Sequence, residues 1–483
     1  MKLDKKIFGL ILVLIATSVK AQDFNDALRL TEPGFVTSPR ALGMGNAYTA
    51  LSNDFSASLF NPAGFALVKR TEFSGSLDYN ALNNDATLFG NTMNHSNSST
   101  ELNQIGFVFP LPTSQGSFVL GFGFNQNKKF DGAMKFSGFN SADNSFIQNL
   151  TSVNDIIAYE TGVSYHFSDT EDATNINGKL NQSGNILQDG SIDSWTFSGA
   201  VEFQKNFFLG LSITRIDGDY RRDREYWEDD TYDNYPSTVL LDPDYPETAD
   251  FQSFYFNDVI KWDIGAWDFT AGFLAQLKNF NLGITLKLPR TYTIKENYYV
   301  DANASFGTGQ TYYLESPIEY DVEYKITTPM EITAGAAFNR NNLTVSFDAK
   351  LIDYTQMKFE SDIDSDNSLD ESTISYNNSD IKDLFRTVVN LNVGAEYVFP
   401  AAGFSIRGGF MYMPSPYKND PSEYDKKFIT LGAGFQTGED VEINVGYAYG
   451  WWKDIGDNYG SNLSRTYQDI THNNLVMGVK FYF

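Results

Sequence analysis

The chain has 483 residues, no cysteine, a formal net charge of −26 and a mean hydropathy of −0.32. These values exclude disulfides, thiolate metal sites, a bundle of spanning helices and a nucleic-acid partner, whose phosphates an acidic surface repels. Aromatic residues reach 15%, with 28 Tyr and 40 Phe, an excess that needs a location.

Residues 1–21 read as a secretory signal peptide. Lys2, Lys5 and Lys6 precede an apolar run from Ile7 to Ala16, and Val19 and Ala21 supply the small residues of a cleavage site. The run is too short to span a membrane comfortably. The mature chain then begins at Gln22.

The next segment is unlike the rest. "ALGMGNAYTALSNDFSASLFNPAG" (41–64) is small, Gly/Ala-rich and helix-leaning, and it ends in a turn at Asn61-Pro62-Ala63. It precedes any strand, so residues 22–70 are predicted to form a plug inside whatever the strands enclose. An ordinary N-terminal strand and loop is the alternative.

From residue 71 to 483 the pattern has period two. Leu391, Val393, Ala395 and Tyr397 alternate with Asn390, Asn392, Gly394 and Glu396, and Val441 to Trp451 does the same. Apolar positions are aliphatic in mid-strand and aromatic toward the ends, as in a lipid-facing band with girdles. Short links at 111–116, 205–206, 279–281, 339–342, 400–403 and 437–440 alternate with long polar links at 81–101, 136–192, 222–265, 300–316, 360–386, 414–426 and 453–472. This alternation predicts an all-β fold: a transmembrane antiparallel barrel of about fourteen strands. Its location is the outer membrane of a Gram-negative cell, among outer-membrane lipids. A C-terminal strand ending in Phe483 is expected to engage the barrel-assembly machinery.

No metal and no cofactor is expected. Asp362, Asp364 and Asp366 have the spacing of a calcium loop, but Asn367 stands where the glycine belongs and Thr373 where the bidentate Glu belongs. His95, His166 and His472 are far apart in sequence, which disfavours zinc. His95 lies among serines, but a polar loop explains it better than a hydrolase site, and the chain is read as a non-enzyme.

The run "SPRALGMGNAYTALSNDFSASLFNPAG" resembles the N-terminal hatch of the FadL-type long-chain fatty-acid transporters. There a Gly-rich run leads to an Asp and an Asn-Pro-Ala turn. Here these are Gly43 and Gly45, then Asp54, then Asn61, Pro62 and Ala63. "RGGFMYMPSPY" (407–417) and "INVGYAYG" (443–450) are similar too. The resemblance implies passive transport of hydrophobic molecules such as long-chain fatty acids. Ligand would be captured outside, held in a pocket against the hatch and released sideways beside a kinked third strand.

That strand would run from Ser117 to Lys135, with Gly121, Gly123 and Gly132 as candidate bending points. Phe55, Leu59, Phe60 and Phe65 are candidates for lining the pocket, or for packing the plug against the wall. Arg40, Lys128 and Lys129 are candidate partners for a carboxylate. The acidic loops depart from what an anionic ligand would need at the entrance. A related motif occurs in secretion-associated barrels, so an accessory barrel that binds partner proteins is the second reading.

Overall fold

The computed structural model describes residues 22–483, apart from 36, 169, 364 and 461. The expected signal peptide and Asp364 therefore lie outside the described residues. Fourteen antiparallel strands close into a barrel. β1 (Glu72–Leu88) and β2 (Asn91–Leu111) form a long hairpin. β3 is broken in two, Phe118–Lys129 and Gly132–Phe139, and β4 likewise, Asn181–Asp189 and Ser191–Gln204. β5 (Phe207–Asp229) and β6 (Phe251–Gln276) follow. β7 joins Phe280–Lys287 to Thr291–Phe306, and β8 joins Ile318–Thr327 to Glu331–Arg340. β9 joins Leu343–Asp353 to Lys358–Ser361. β10 (Thr387–Phe399), β11 (Phe404–Met413), β12 (Lys426–Thr437), β13 (Val441–Asp457) and β14 (Arg465–Tyr482) complete the wall. β14 pairs with β1 from Tyr482↔Glu72 to Tyr467↔Thr87, which removes the sheet edge.

The lower half of the wall turns its large apolar residues outward. Leu211 and Leu431 are 67% and 61% exposed, and Phe107, Trp195, Phe197, Trp267 and Ile284 are exposed with them. Such a belt is stable only against lipid. Above it the pattern inverts. On β6, Trp267 and Phe269 face out below Gly265, whereas Phe254, Phe256 and Trp262 are buried above it. This corrects two sequence expectations. Much of the aromatic excess fills the inside of the outer half instead of forming girdles. Tyr220, Tyr226, Phe146, Phe256 and Trp262 share one buried core there. The long links are also largely strand: 81–101 is a projecting hairpin with a tight turn at Phe89 and Gly90, and 222–265 leaves the ladder only between Asp229 and Phe251. Beyond the lipid a strand needs no apolar outer face, so polar sequence does not end it.

The true outer loops carry helices α4 (Phe146–Ser152) and α5 (Ile156–Glu160) and, after β9, α6 (Glu371–Leu384). Glu228 fixes α4 by accepting from the amides of Phe146 and Ile147, at 2.7 and 3.1 Å.

The N-terminal segment lies inside the barrel, in pieces short enough to turn within it. α1 (Phe24–Thr31) begins at a capping box, with Asp23 accepting from the Asn25 amide at 2.8 Å and Asp26 from the Asp23 amide at 3.1 Å. α2 (Pro39–Gly43) begins at Ser38, whose hydroxyl accepts from Ala41, with Pro39 in the first helical position. α3 (Ala57–Phe60) runs into a 3-10 turn at Pro62–Leu67, entered through Asn61.

Candidate functional site

The lower hatch is clamped by charge. Asp54 meets Lys480 of β14 at 2.9 Å and accepts from the amide and hydroxyl of Ser56. Both partners of the pair are nearly out of water, at 6% and 9% side-chain exposure. Burial raises the Asp54 carboxyl, but the Lys480 ammonium, the Ser56 hydroxyl and the Arg40 guanidinium together outweigh it, and the group sits below its ordinary value. Arg40 forms a two-point pair with Glu396 of β10, at 2.8 and 3.0 Å, and Glu396 also receives Arg407 of β11. Asp348 of β9 accepts from the amides of Tyr48 and Thr49, both at 2.9 Å. Asn61 is fully buried and donates to the carbonyls of Thr49 and Phe273, at 3.0 Å each, while its oxygen caps Ala63.

The wall makes room for this with inward glycines at one level. A Cβ at Gly272 would lie 2.1 Å from Asn61 Oδ1, and one at Gly210 2.3 Å from the Ala63 nitrogen. Gly283 and Gly335 give the same close approach to Thr49, and Gly394 and Gly409 to Met44 and Gly45. Sequence reasoning missed this girdle. Its signal was present: a glycine at an inward position, at similar distances from the short turns, on strand after strand.

The candidates divide. Gly43 and Gly45 lie against β12, β10 and β11, and Asp54, Asn61, Pro62 and Ala63 hold the clamp just described. Phe55 packs on Phe65, Gly106 and Gly123, and Phe65 on Gly121. Phe60 meets Tyr48 edge to face, and Leu59 is half-buried beside it. None of these four aromatic or aliphatic residues lines the large cavity. Gly121 and Gly123 lie in regular ladder, where they seat those rings. The break in β3 comes later, at Phe130 and Asp131, with Gly132 beside it and a bulge at Gln126 and Lys128. Arg40 borders a separate cavity of about 500 Å³ at the short-turn end.

The large cavity, about 790 Å³, lies higher, between α1, the segment 32–35 and the wall. Lys128 and Lys129 line it. His472, expected in a loop, lies on β14 and faces this cavity, with Phe35 at 5.3 Å and its Nε2 against Asn80. His95 is likewise within β2, and His166 pairs with Asp172 at 2.6 Å in an outer hairpin. Among the described residues no group of three or more His, Asp or Glu is placed to hold a metal ion.

The wall opens beside this cavity. The β2–β3 ladder ends at Gln104↔Asn125, although β2 continues to Asn91, paired there among the described residues with β1 alone. The second segment of β3 turns inward instead: the Ala133 carbonyl accepts from Asn84 of β1 at 3.0 Å, and the Ser137 carbonyl from Asn91 at 2.7 Å. Gly34 of the hatch sits on the bend, where a Cβ would fall 2.1 Å from the Asn127 carbonyl oxygen. The gap holds a second space of about 540 Å³ lined by Ser99, Glu101, Asp131, Gln188, Ser191 and Asp219 among others. Asp131 and Gln188 border both spaces.

A family model described as outer membrane protein transport protein (OMPP1/FadL/TodX) matches residues 34–481. The fold is similar to that of the Pseudomonas putida toluene transporter TodX, at 13% identity over 93% of this chain and 98% of that one, with a TM-score of 0.55. It is similar to a Pseudomonas aeruginosa FadL homologue (15%, 94% and 99%, 0.55) and to the Ralstonia pickettii toluene transporter TbuX (16%, 93% and 98%, 0.52). No curated protein matches the sequence. The belt, the closed barrel, the lumenal hatch and the match over nearly the whole chain lead to one conclusion: the chain belongs to the OMPP1/FadL/TodX family of outer-membrane transport proteins of Gram-negative bacteria.

Proposed function

We propose that this channel carries hydrophobic molecules passively, from outside, through the large cavity, and sideways out of the barrel through the gap between β2 and β3. The observation that carries the reading is the end of the ladder at Gln104↔Asn125 beside a cavity of about 790 Å³. A straight path to the periplasm would have to displace the clamped hatch. A sideways path has only to pass Asp131 and Gln188, which both spaces share. Each methylene moved from water into an apolar site contributes about 0.8 kcal/mol, so a downhill gradient needs only a relay that binds and then releases. The hatch is the proposed relay, with Gly34 at the bend linking it to the gap.

The test is uptake by proteoliposomes of toluene, of 1-octanol and of a fluorescent long-chain fatty acid. Wild-type protein is expected to speed uptake of at least one over empty vesicles. Ser99→Trp with Ser191→Trp fills the gap and is expected to stop uptake while ligand still binds. Unchanged uptake in that variant refutes the lateral path, and no uptake by the wild type refutes the transport reading.

A further inference from the structure

We infer that the ligand of the large cavity is an amphiphile whose head donates hydrogen bonds and is neutral or cationic, not a carboxylate and not a bare hydrocarbon. This rests on the transport reading and narrows its substrate class.

The cations lining the cavity are already engaged. Arg222 and Arg224 share Asp258. Lys426 holds Glu32 at 2.8 Å, Lys129 holds Asp78 at 2.6 Å, Arg29 holds Asp26 at 2.6 Å and Lys453 holds Glu423 at 3.0 Å. Lys128 donates to the Arg29 and Glu32 carbonyls, at 2.6 and 2.7 Å. An incoming carboxylate would have to share a cation that already has partners; the least occupied are Lys128, which faces only carbonyls, and Arg222, whose Nε has no hydrogen-bond partner among the described residues. Acceptors, by contrast, are in surplus. Among the described residues, Asp131 and Asp454 have no cation within ion-pair distance, and Asp131 is held by neutral donors, Asn80 at 3.0 Å and Ser99 at 2.7 Å.

A second observation points the same way. Asn84 and Asn474 line the cavity at 3% and 1% exposure, and each keeps an amide oxygen with no hydrogen-bond partner among the described residues. Buried acceptors left unpaired are costly, and a donor head relieves that cost. The apolar half of the ligand has its own wall, where Phe35 and Phe428 stand 4.8 Å apart with Trp452 beside them. The gap carries the same bias, since Glu101, Asp131, Asp189 and Asp219 rim it. The chain's net charge of −26 disfavours an anion before it arrives.

The experiment is binding to the full mature chain in lipid nanodiscs at neutral pH, read by tryptophan fluorescence with empty discs subtracted. The probes are octylamine, 1-octanol, octanoate and toluene. Octylamine and 1-octanol are expected to bind at least tenfold more tightly than octanoate and toluene. Asp131→Asn is expected to weaken octylamine several-fold more than 1-octanol, a difference that mere loss of packing would not produce. Asn84→Leu is expected to weaken both. If octanoate or toluene binds as tightly as the donors, or if Asp131→Asn leaves the octylamine to 1-octanol ratio unchanged, the inference falls and the transport reading stands. If no probe binds in a saturable way, both fall.

Discussion

Lys480→Met is the sharpest test of how the hatch is held. The ammonium lies 2.9 Å from Asp54 and 3.9 Å from Glu442, and Glu72 stands close by, accepting from the Phe55 amide at 2.8 Å. Without it three carboxyl groups share a buried site with no cation within ion-pair distance among the described residues. Removing one partner of a buried pair costs about 3–5 kcal/mol. The strands keep their ladders, so the cost falls on docking of the hatch. At 1.4 kcal/mol per tenfold, the docked-to-undocked ratio drops by about two to three and a half powers of ten. The assay is conductance in planar bilayers, where the variant is expected to open often and the wild type rarely. Asp54→Asn combined with Lys480→Met removes both charges of the close pair and leaves Glu442 to its bonds from Asn444 and Tyr482, so it is expected to recover part of the closed state, because a neutral pair of similar volume is far less costly than a lone buried charge. A single variant as closed as wild type, or a double variant as leaky as the single, would refute the reasoning.

Acid should open the same latch. The Asp54 carboxyl is held below its ordinary value, so its contribution to docking is complete above the ordinary aspartate pKa of about 3.9 and is lost as pH falls through the lowered value. Conductance is expected not to rise between neutral pH and about 5 and to rise only below about 4; a rise centred near neutrality would contradict the assignment. Gly272→Ala places a methyl 2.1 Å from Asn61 Oδ1 and should loosen the hatch by about 1–3 kcal/mol. Gly408→Ala, whose new Cβ meets nothing nearer than 3.8 Å, should be silent in the same conductance assay. Deleting residues 22–64 is expected to leave a heat-modifiable, folded barrel that leaks, and unchanged conductance would overturn the view that the segment seals the lumen.

The barrel was legible in the sequence because lipid imposes a strict period. Leu391, Val393 and Ala395 must alternate with Asn392 and Gly394 when one face meets hydrocarbon and the other a packed lumen. The upper strands were not legible, because above the lipid that constraint reverses. Phe254, Phe256 and Trp262 turn inward while Tyr255, Asn257 and Lys261 lie outside or at the rim. The phase shift and the acidic composition of 222–265 together look like a loop. The hatch was legible from its motif and its turn residues. Its cavity was not, because the lining comes from segments as far apart as Phe35, Lys128, Trp452 and His472. Glycine was ambiguous for a related reason. Gly121 and Gly123 read as flexibility, and only the hatch rings lying on them reveal a need for space.

The distribution of these contacts bears on which part of the hatch moves. The lower part, residues 39–67, is fixed by Asp54–Lys480, by Arg40–Glu396, by the Asp348 cradle and by the glycine girdle. The upper part has fewer ion pairs to the wall. Glu32–Lys426 is a pair about a quarter exposed at each end, of the kind that contributes about 1 kcal/mol or less. Beyond it α1 is held by burial of Ala27 and Leu30 in the outer core, by Arg29 over Tyr220 and Trp262 and by Tyr417 to Asn25 at 2.5 Å, whereas residues 32–35 are only half-buried and meet Lys128 through the Glu32 carbonyl. The cavity borders the upper part, and Gly34 of that part rests on the bend of β3 that forms the gap. The least costly motion that joins cavity to gap therefore shifts residues 32–35 and leaves α1 and the clamp below in place. On the proposed lateral path the periplasmic end stays sealed throughout transfer, whereas a plug that must leave as one body would open it.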